Sequence, residues 1–283
     1  MQQNDFQRDS ELPVLKVVPL ASLVLHEQVD EERINGLVQR LEKDGLLKNP
    51  PIVAPIAGSA TYVVLDGANR FSALPRVGCR DVVVQVVDYS DPDLDLLVWN
   101  HLIAAPAVDD VMEPIRHVTG LRMRRVALPM ARALLANRGV LAYVVPVQGP
   151  VQVLEGGLTL DGEADLLNMI VASYHGRLRY FRVKSDELSA LLPYYDGVAA
   201  LVAFPCFQPE EITHLASNGA KLPAGITRHV IPQRALRVNV PLDILRQDRP
   251  LEEKNRWLLD QIKARLLDRH IRFYQEPTVL FDE

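Results

Sequence analysis

Only two cysteines occur in this 283-residue chain, Cys79 and Cys206, and neither sits in a CxxC pair. That excludes a disulfide framework and a zinc ribbon, and it fits a chain working in the reducing cytoplasm. Long apolar runs are missing as well: no stretch approaches the ~20 residues needed to cross a bilayer, so no membrane partner is expected. The opening residues, MQQNDFQRDSELP, are polar and acidic and lack the apolar core of a secretory signal. They read as a short disordered lead, residues 1–12. Positive charge is in deficit. With 31 Lys and Arg against 36 Asp and Glu, the net charge is −5, which speaks against a surface built to follow a nucleic-acid backbone. The common nucleotide signatures are absent too: there is no GxxxxGK[ST] loop and no protein-kinase Gly-rich loop. Any phosphate site in this chain has to be built in another way.

What is present is an ordinary globular composition, 48% hydrophobic and 24% charged, on a length that suits two domains. VLKVV (14–18) reads as a first strand. Ile34, Leu37, Val38 and Leu41 then follow the i, i+3, i+4, i+7 pattern of an amphipathic helix. Asp30 is placed to cap its start and Gly45 to end it. PIVAPI and TYVVL read as strands joined by a hairpin turn at Gly58-Ser59, and DVVVQVV (81–87) as a strand buried on both faces. Residues 94–103 lean to strand. The segment 109–139 looks largely helical, broken by Pro114, Gly120 and Pro129. A β-rich block follows, its last part (166–184) read as extended with a hairpin at His175-Gly176. PEEITHLASNG is a short helix, 223–242 is extended and proline-rich, and 251–268 is a terminal helix with Leu258, Leu259, Ile262 and Leu266 on one side. The shift in composition near 104–110 sets the expected boundary, giving a first domain at 13–105 and a second at 106–283.

The stretch YVVLDGANRFSAL (62–74) carries the clearest chemical signal. An apolar strand ends at Asp66-Gly67, and an Arg follows where a helix begins. Gly67 lets the backbone come close to a ligand, the amides after it point out from a helix start, and Arg70 supplies a planar fork for phosphate oxygens. Asp66 has the wrong sign to touch phosphate directly and suits a metal, Arg70 or a substrate amine. Pro75 is expected to kink or shorten that helix.

The order strand, Glu-bearing loop, helix, two strands, DG-x-x-R and strand resembles the ParB/sulfiredoxin superfamily over about residues 14–103. LHE before the helix, LKNPPIV after it, W-N-H after the core and GITRHVIPQRALRVNVPL downstream narrow the resemblance to the free L-serine kinases of that superfamily. It implies an α/β fold, with a ParB/sulfiredoxin-like N-terminal core and a second mixed α/β domain completing a substrate cleft. The implied reaction makes O-phospho-L-serine from free L-serine with ATP or ADP and Mg²⁺, in siderophore-precursor or cysteine biosynthesis. Glu27 is then the general base and Asp66 its catalytic companion. Lys48, Asn49, Gly67, Ala68, Asn69 and Arg70 surround the nucleotide, and Trp99, His101, Thr227, Arg228 and His229 the serine. His26 reads as structural. One departure stands out: Ala68-Asn69 precedes Arg70 where relatives often carry His. Three alternatives belong to other classes. A nucleotide-gated DNA clamp needs a helix-turn-helix after the core, where six arginines do cluster between 116 and 138. Sulfiredoxin-type reduction needs a cysteine that DGANR lacks. A ligand sensor without kinase activity would have no need of Glu27.

Overall fold

The computed structural model describes residues 12–274. In chain order its elements are β1 (Val14–Pro19), β2 (Leu23–Leu25), α1 (Glu31–Asp44), β3 (Leu46–Leu47), β4 (Ile52–Pro55), β5 (Tyr62–Asp66), α2 (Ala68–Ala73) and β6 (Asp81–Val86). There follow β7 (Asp95–Val98), β8 (Asn100–Ala104), α3 (Val108–Arg116), β9 (Arg122–Arg125), α4 (Leu128–Ala136), β10 (Ala142–Pro146), β11 (Gln152–Glu155) and α5 (Leu160–Ala172). The chain continues with β12 (Arg179–Val183), α6 (Leu188–Leu191), β13 (Val198–Ala203), α7 (Pro209–Asn218), β14 (Thr227–Val230), β15 (Val240–Pro241), α8 (Leu242–Arg246) and α9 (Leu251–Leu267). The mixed α/β class expected from the sequence is borne out. The expected lead at 1–12 lies, but for Leu12, outside the described residues.

Two sheets organise the chain. The first has the strand order β1-β6-β4-β5-β2, the second β12-β8-β13-β10-β11-β9. In the first, β2 pairs with β5 in parallel, matching Leu25 with Val64. In the second, every pairing is antiparallel. Successive side chains of a strand point to opposite faces, and β5 shows the consequence. Val64 packs with Val17, Ile34, Val53 and Val83 on one side, while Val63 and Leu65 pack with Leu222, Ile226 and the second sheet on the other. A strand buried on both faces reads as the unbroken apolar run seen in the sequence. The end of the chain returns to the first sheet, where Val240, Leu242, Leu245 and Leu258 join that core. Lys254 is buried there and pairs with Asp81 at 2.5 Å.

Local signals explain the elements that matter for the site. The Asp30 side chain accepts from the Arg33 amide at 3.1 Å, and Gly45 ends α1 at φ 64°. Glu31 and Glu32 stand in the first turn and Lys43 in the last, each favoured by the helix dipole. Helix α2 has only six residues, and a 3-10 turn begins at Pro75, as the proline demands.

Some expectations fail for identifiable reasons. Residues 122–125, expected within a helical stretch, form β9 and pair with β11. Gly120, at φ 81°, ends the preceding turn and lets an edge strand of alternating exposure begin. The strand therefore separates α3 from α4, and the pair is not a helix-turn-helix. The run 160–172 is helix α5 rather than strand, capped by Thr159, which accepts from the Gly162 amide. Its buried face (Ala164, Leu167, Ile170, Val171) does follow the helical period, with Asp165 and Met169 exposed opposite, but apolar Met169 on the outer face hides that period in the sequence. On α9 only part of the expected face is covered: Leu258 is 2% exposed, but Leu259 is 49% and Leu266 51%.

Candidate active site

Glu27 and Asp66 come to the same edge of the first sheet. β2 and β5 run in parallel with Leu25 opposite Val64. The next two residues of each chain segment carry Glu27 just past the carboxyl end of β2 and Asp66 to the last residue of β5, at the sheet end where open sheets place ligands. The segment 222–237 closes over that edge from the far end of the sequence. Gln28 and Leu222 exchange backbone bonds with it: the Gln28 amide donates to the Leu222 carbonyl and the Leu222 amide to the His26 carbonyl, both at 2.8 Å.

The Glu27 carboxylate is held by three donors. Its Oε2 accepts from the Gly225 amide at 2.8 Å. Its Oε1 accepts from the Thr227 amide at 2.8 Å and from the Thr227 hydroxyl at 2.5 Å. A carboxylate offers about four lone-pair sites, so one position on Oε2 remains able to accept a further hydrogen bond. Gly225 cannot be replaced here. It sits at φ 69°, and a Cβ would lie inside the Arg182 guanidinium. Arg182 in turn donates to the Ala224 carbonyl at 2.9 Å.

His26 lies behind this carboxylate, 3% exposed, with Nδ1 at 2.8 Å from the Val64 carbonyl and Nε2 at 2.9 Å from the Thr227 hydroxyl. Burial pulls the ring below its ordinary pKa, while the Glu27 charge and the Val64 carbonyl act in the opposite direction. His229 packs edge-on against it at 5.5 Å and meets the Tyr89 hydroxyl through Nε2 at 2.8 Å. Burial first, then the His26 charge, lowers His229 to about 3. His229, expected beside the serine, is 8% exposed and packs against His26. Thr227, expected there too, bonds Glu27 through its amide and hydroxyl and His26 through its hydroxyl.

The turn at Asp66–Arg70 forms the second half of the site. Asp66 Oδ2 accepts from Arg70 Nη2 at 3.1 Å and from Arg234 Nη1 at 3.3 Å. Gly67 stands at φ 90°, and an added Cβ would meet Arg70 Nη2 at 2.9 Å and the Pro51 Cα at 3.2 Å. Glycine is thus dictated both by conformation and by the close approach of Arg70. With only six residues in α2, the cationic character rests on Arg70 and Arg234 rather than on a helix terminus. Ala68 has no polar side chain and can contribute only backbone. Asn69 uses its Oδ1 to accept from the Asp30 amide at 3.0 Å, tying the turn to the start of α1.

Arg234 lies within the GITRHVIPQRALRVNVPL stretch that carried the resemblance, but nothing there set it apart from Arg228 and Arg237. Gln85, 2% exposed on β6, holds that stretch by donating to the Gln233 carbonyl at 2.6 Å and accepting from the Ala235 amide at 2.9 Å. Asn49 accepts from the Arg237 amide at 2.8 Å, and the Lys48 carbonyl accepts from the Asn239 amide at 3.2 Å. The Lys48 ammonium pairs with Asp44 at 3.1 Å. These contacts give Lys48 and Asn49 the work of anchoring the 237–239 segment.

Trp99 and Arg228 meet each other, the guanidinium 5.1 Å from the ring centre. His101 is displaced from the site. It is fully buried on β8, bonded through Nδ1 to the Tyr174 hydroxyl at 2.7 Å and stacked on Tyr180 at 4.3 Å. Its expected contact with substrate is therefore withdrawn. A cavity of about 380 Å³ opens between the start of α1 and β12, lined by Asp30, Arg33, Tyr180, Phe181, Arg182 and Tyr195.

No protein-family model matches the chain. Solved structures do: a free serine kinase in complex with AMP superimposes with a TM-score of 0.71 at 18% identity, over 83% of this chain and 95% of that one. The fold is that of the free serine kinases. Sequence relatives agree. The ATP-dependent L-serine kinase SbnI of Staphylococcus aureus is 24% identical over 273 residues, 95% of this chain and 97% of the relative. The ADP-dependent L-serine kinase SerK of Thermococcus kodakarensis is 21% identical over 240 residues, 83% of this chain and 96% of the relative. The resemblance to free L-serine kinases read from the motifs therefore holds along most of the chain.

Proposed function

We propose that the protein is a kinase that transfers the terminal phosphoryl group of ATP or ADP to the hydroxyl of free L-serine. The observation that carries this is the pairing, at one sheet edge, of a donor-held carboxylate with a glycine turn flanked by two arginines. Relatives named as L-serine kinases match 95% and 83% of this chain. Glu27 takes the serine proton at the open position of Oε2. Arg70 and Arg234 neutralise the phosphate oxygens, and Gly67 allows their close approach. Serine lies in the cavity between the start of α1 and β12, where Asp30 and Arg182 offer charges of opposite sign to its ammonium and carboxylate.

Phosphoryl transfer of this kind uses Mg²⁺. Among the described residues no group of three His, Cys, Asp or Glu side chains is arranged to hold a metal by protein ligands alone. That fits Mg²⁺, which keeps waters and is commonly held by one or two carboxylates plus substrate phosphates. Asp66, with a side chain 38% exposed beside both arginines, is the carboxylate that would hold it. The ion would draw charge off the transferring phosphoryl group.

A cytoplasmic setting is supported by two unpaired cysteines, one buried and one exposed. Among the described residues no helix is long and apolar enough to cross a membrane. The experiment is direct. The folded protein, L-serine, Mg²⁺ and either nucleotide should yield O-phosphoserine by mass spectrometry, with no action on serine inside peptides. No product with either nucleotide would overturn the kinase assignment.

A further inference from the structure

The hydrogen bonds behind Glu27 require more protons than the groups supply in their ordinary states. Three contacts run in series: Val64 carbonyl to His26 Nδ1 at 2.8 Å, His26 Nε2 to Thr227 Oγ1 at 2.9 Å, and Thr227 Oγ1 to Glu27 Oε1 at 2.5 Å. Each needs one hydrogen. The first must come from Nδ1, because a carbonyl only accepts. A neutral imidazole then has none left for Nε2, and the single threonine proton can serve only one of the other two contacts. At 2.5 Å, two oxygens without a hydrogen between them repel; that separation belongs to a charge-assisted bond. A neutral histidine, a hydroxyl and a carboxylate bring two hydrogens to three bonds.

We propose that His26, Thr227 and Glu27 are one titrating unit that shares a third proton, and that His26 is a positioning residue fixing the ionisation of Glu27 through the Thr227 hydroxyl. This rests on Glu27 being the base of the kinase reaction. With the shared proton on His26, the ring is an imidazolium, the threonine proton points at Oε1, and Oε2 is free to accept. With the proton on Glu27, the same contacts persist in reversed polarity, and Glu27 cannot act as a base. In the reactive form the serine O–H bond breaks as Oε2–H forms, the serine oxygen bonds phosphorus, and the bond from phosphorus to the departing nucleotide breaks. The groups facing the ring are few. Glu27 Oε1 is 4.0 Å from Nε2. His229 is edge-on at 5.5 Å, with the Tyr89 hydroxyl beyond it and Arg234 acting on it. At 3% exposure His26 has little access to water, so its proton is settled within this group.

Two measurements on the full-length protein test this. In the first, ¹⁵N-histidine spectra at neutral pH, with the His26 signals assigned by their loss in His26→Gln, should show hydrogen on both ring nitrogens when the Glu27 carboxyl ¹³C signal is that of a carboxylate. A neutral wild-type ring, with hydrogen on Nδ1 or Nε2 alone, beside an ionised Glu27 would remove the third proton and overturn the proposal, whether or not the protein proves to be a kinase. In the second, Thr227→Val keeps the shape and the amide bond to Glu27 but deletes the link. Its kcat should fall by about tenfold or more with KM for serine within about twofold. The acid limb of its pH profile should move about one unit upward, since the ionised carboxylate loses a donor. Thr227→Ser should restore both. An acid limb that stays in place in Thr227→Val, or a Thr227→Ser that behaves like the valine variant, refutes the coupling.

Discussion

Replacing Glu27 with glutamine tests the base assignment, and the structure shows that it is not a silent change of shape. A glutamine carbonyl placed at the Oε1 position keeps both Thr227 bonds, but its NH₂ then faces the Gly225 amide, donor against donor. In the reverse orientation the NH₂ opposes the Thr227 amide but can donate to the Thr227 hydroxyl, so one bond is again lost. Either orientation forfeits one charge-assisted bond and leaves an unpaired donor at a side chain only 12% exposed. Stability should fall by about 1–3 kcal/mol, which is a drop in Tm of roughly 2–10 °C for a chain of this size. The chemical effect is larger. A positioned base contributes about 10²–10⁴ in rate, so kcat should fall by that factor, equivalent to about 3–5.5 kcal/mol of barrier. Because the proton moves only in the transition state, kcat and kcat/KM should fall together and KM for serine should hold. The assay is O-phosphoserine formation across serine concentrations, well below the melting temperature of the variant, with a thermal melt alongside. A kcat within threefold of wild type would refute the base assignment. A raised KM with unchanged kcat would make Glu27 a ligand of the serine ammonium instead.

Arg70→Ala should weaken nucleotide binding by about 10–100-fold in calorimetry, the loss of about 1.5–3 kcal/mol expected when a bond to a charged group is removed; unchanged affinity would make the turn purely structural. Acid should unfold the protein early. Burial holds the His101 and His229 rings near 3 in the fold against 6.5 when exposed. The unfolded chain therefore binds more protons below 6.5, stability is full above that pH, and it drains away as the pH falls toward 3. At pH 5 each ring should cost about 2 kcal/mol relative to neutral pH, measurable by urea melts at the two pH values, and equal midpoints would refute it.

The legible parts of the sequence were those governed by local rules. Asp30, the apolar stripe of α1 and Gly45 announce that helix because capping and periodicity act within a few residues. Gly67 and Arg70 were legible because a positive-φ glycine and a close guanidinium are bound together by short-range sterics. Glu27 stood out by its place after an apolar strand. His101 misled because a histidine one residue from a strand boundary looks the same whether its ring faces a cleft or a core; only its partners Tyr174 and Tyr180, over 70 residues away, decide. Thr227 and His229 were found, but their bonds within the fold were not. Their partners, Glu27 and Tyr89, lie 200 and 140 residues distant in the chain, and no periodicity encodes that pairing. Arg234 was missed for the same reason.

Those long separations also bear on how the site is made. Every donor on the Glu27 carboxylate comes from residues 225–227, and the second arginine on Asp66 comes from 234. That segment has little regular structure of its own. It is held down by Gln85 from β6, by Asn49 ahead of β4 and by the loop after β2, whose His26 and Gln28 bond the Leu222 backbone. It cannot be in place until the first sheet is paired, and contacts this distant are the slow ones to form. The final crossing, in which α9 packs on β1 and Asn255 accepts from the Val17 amide while donating to its carbonyl, closes the first core with the end of the chain. The carboxylate proposed to take the proton, the turn proposed to hold phosphate and the arginine that joins them are thus brought together only by the completed fold. A substitution at Gln85, remote from any reacting atom, is expected to loosen Arg234 from Asp66 and so weaken nucleotide binding, which calorimetry on Gln85→Ala would register; unchanged affinity would refute the link.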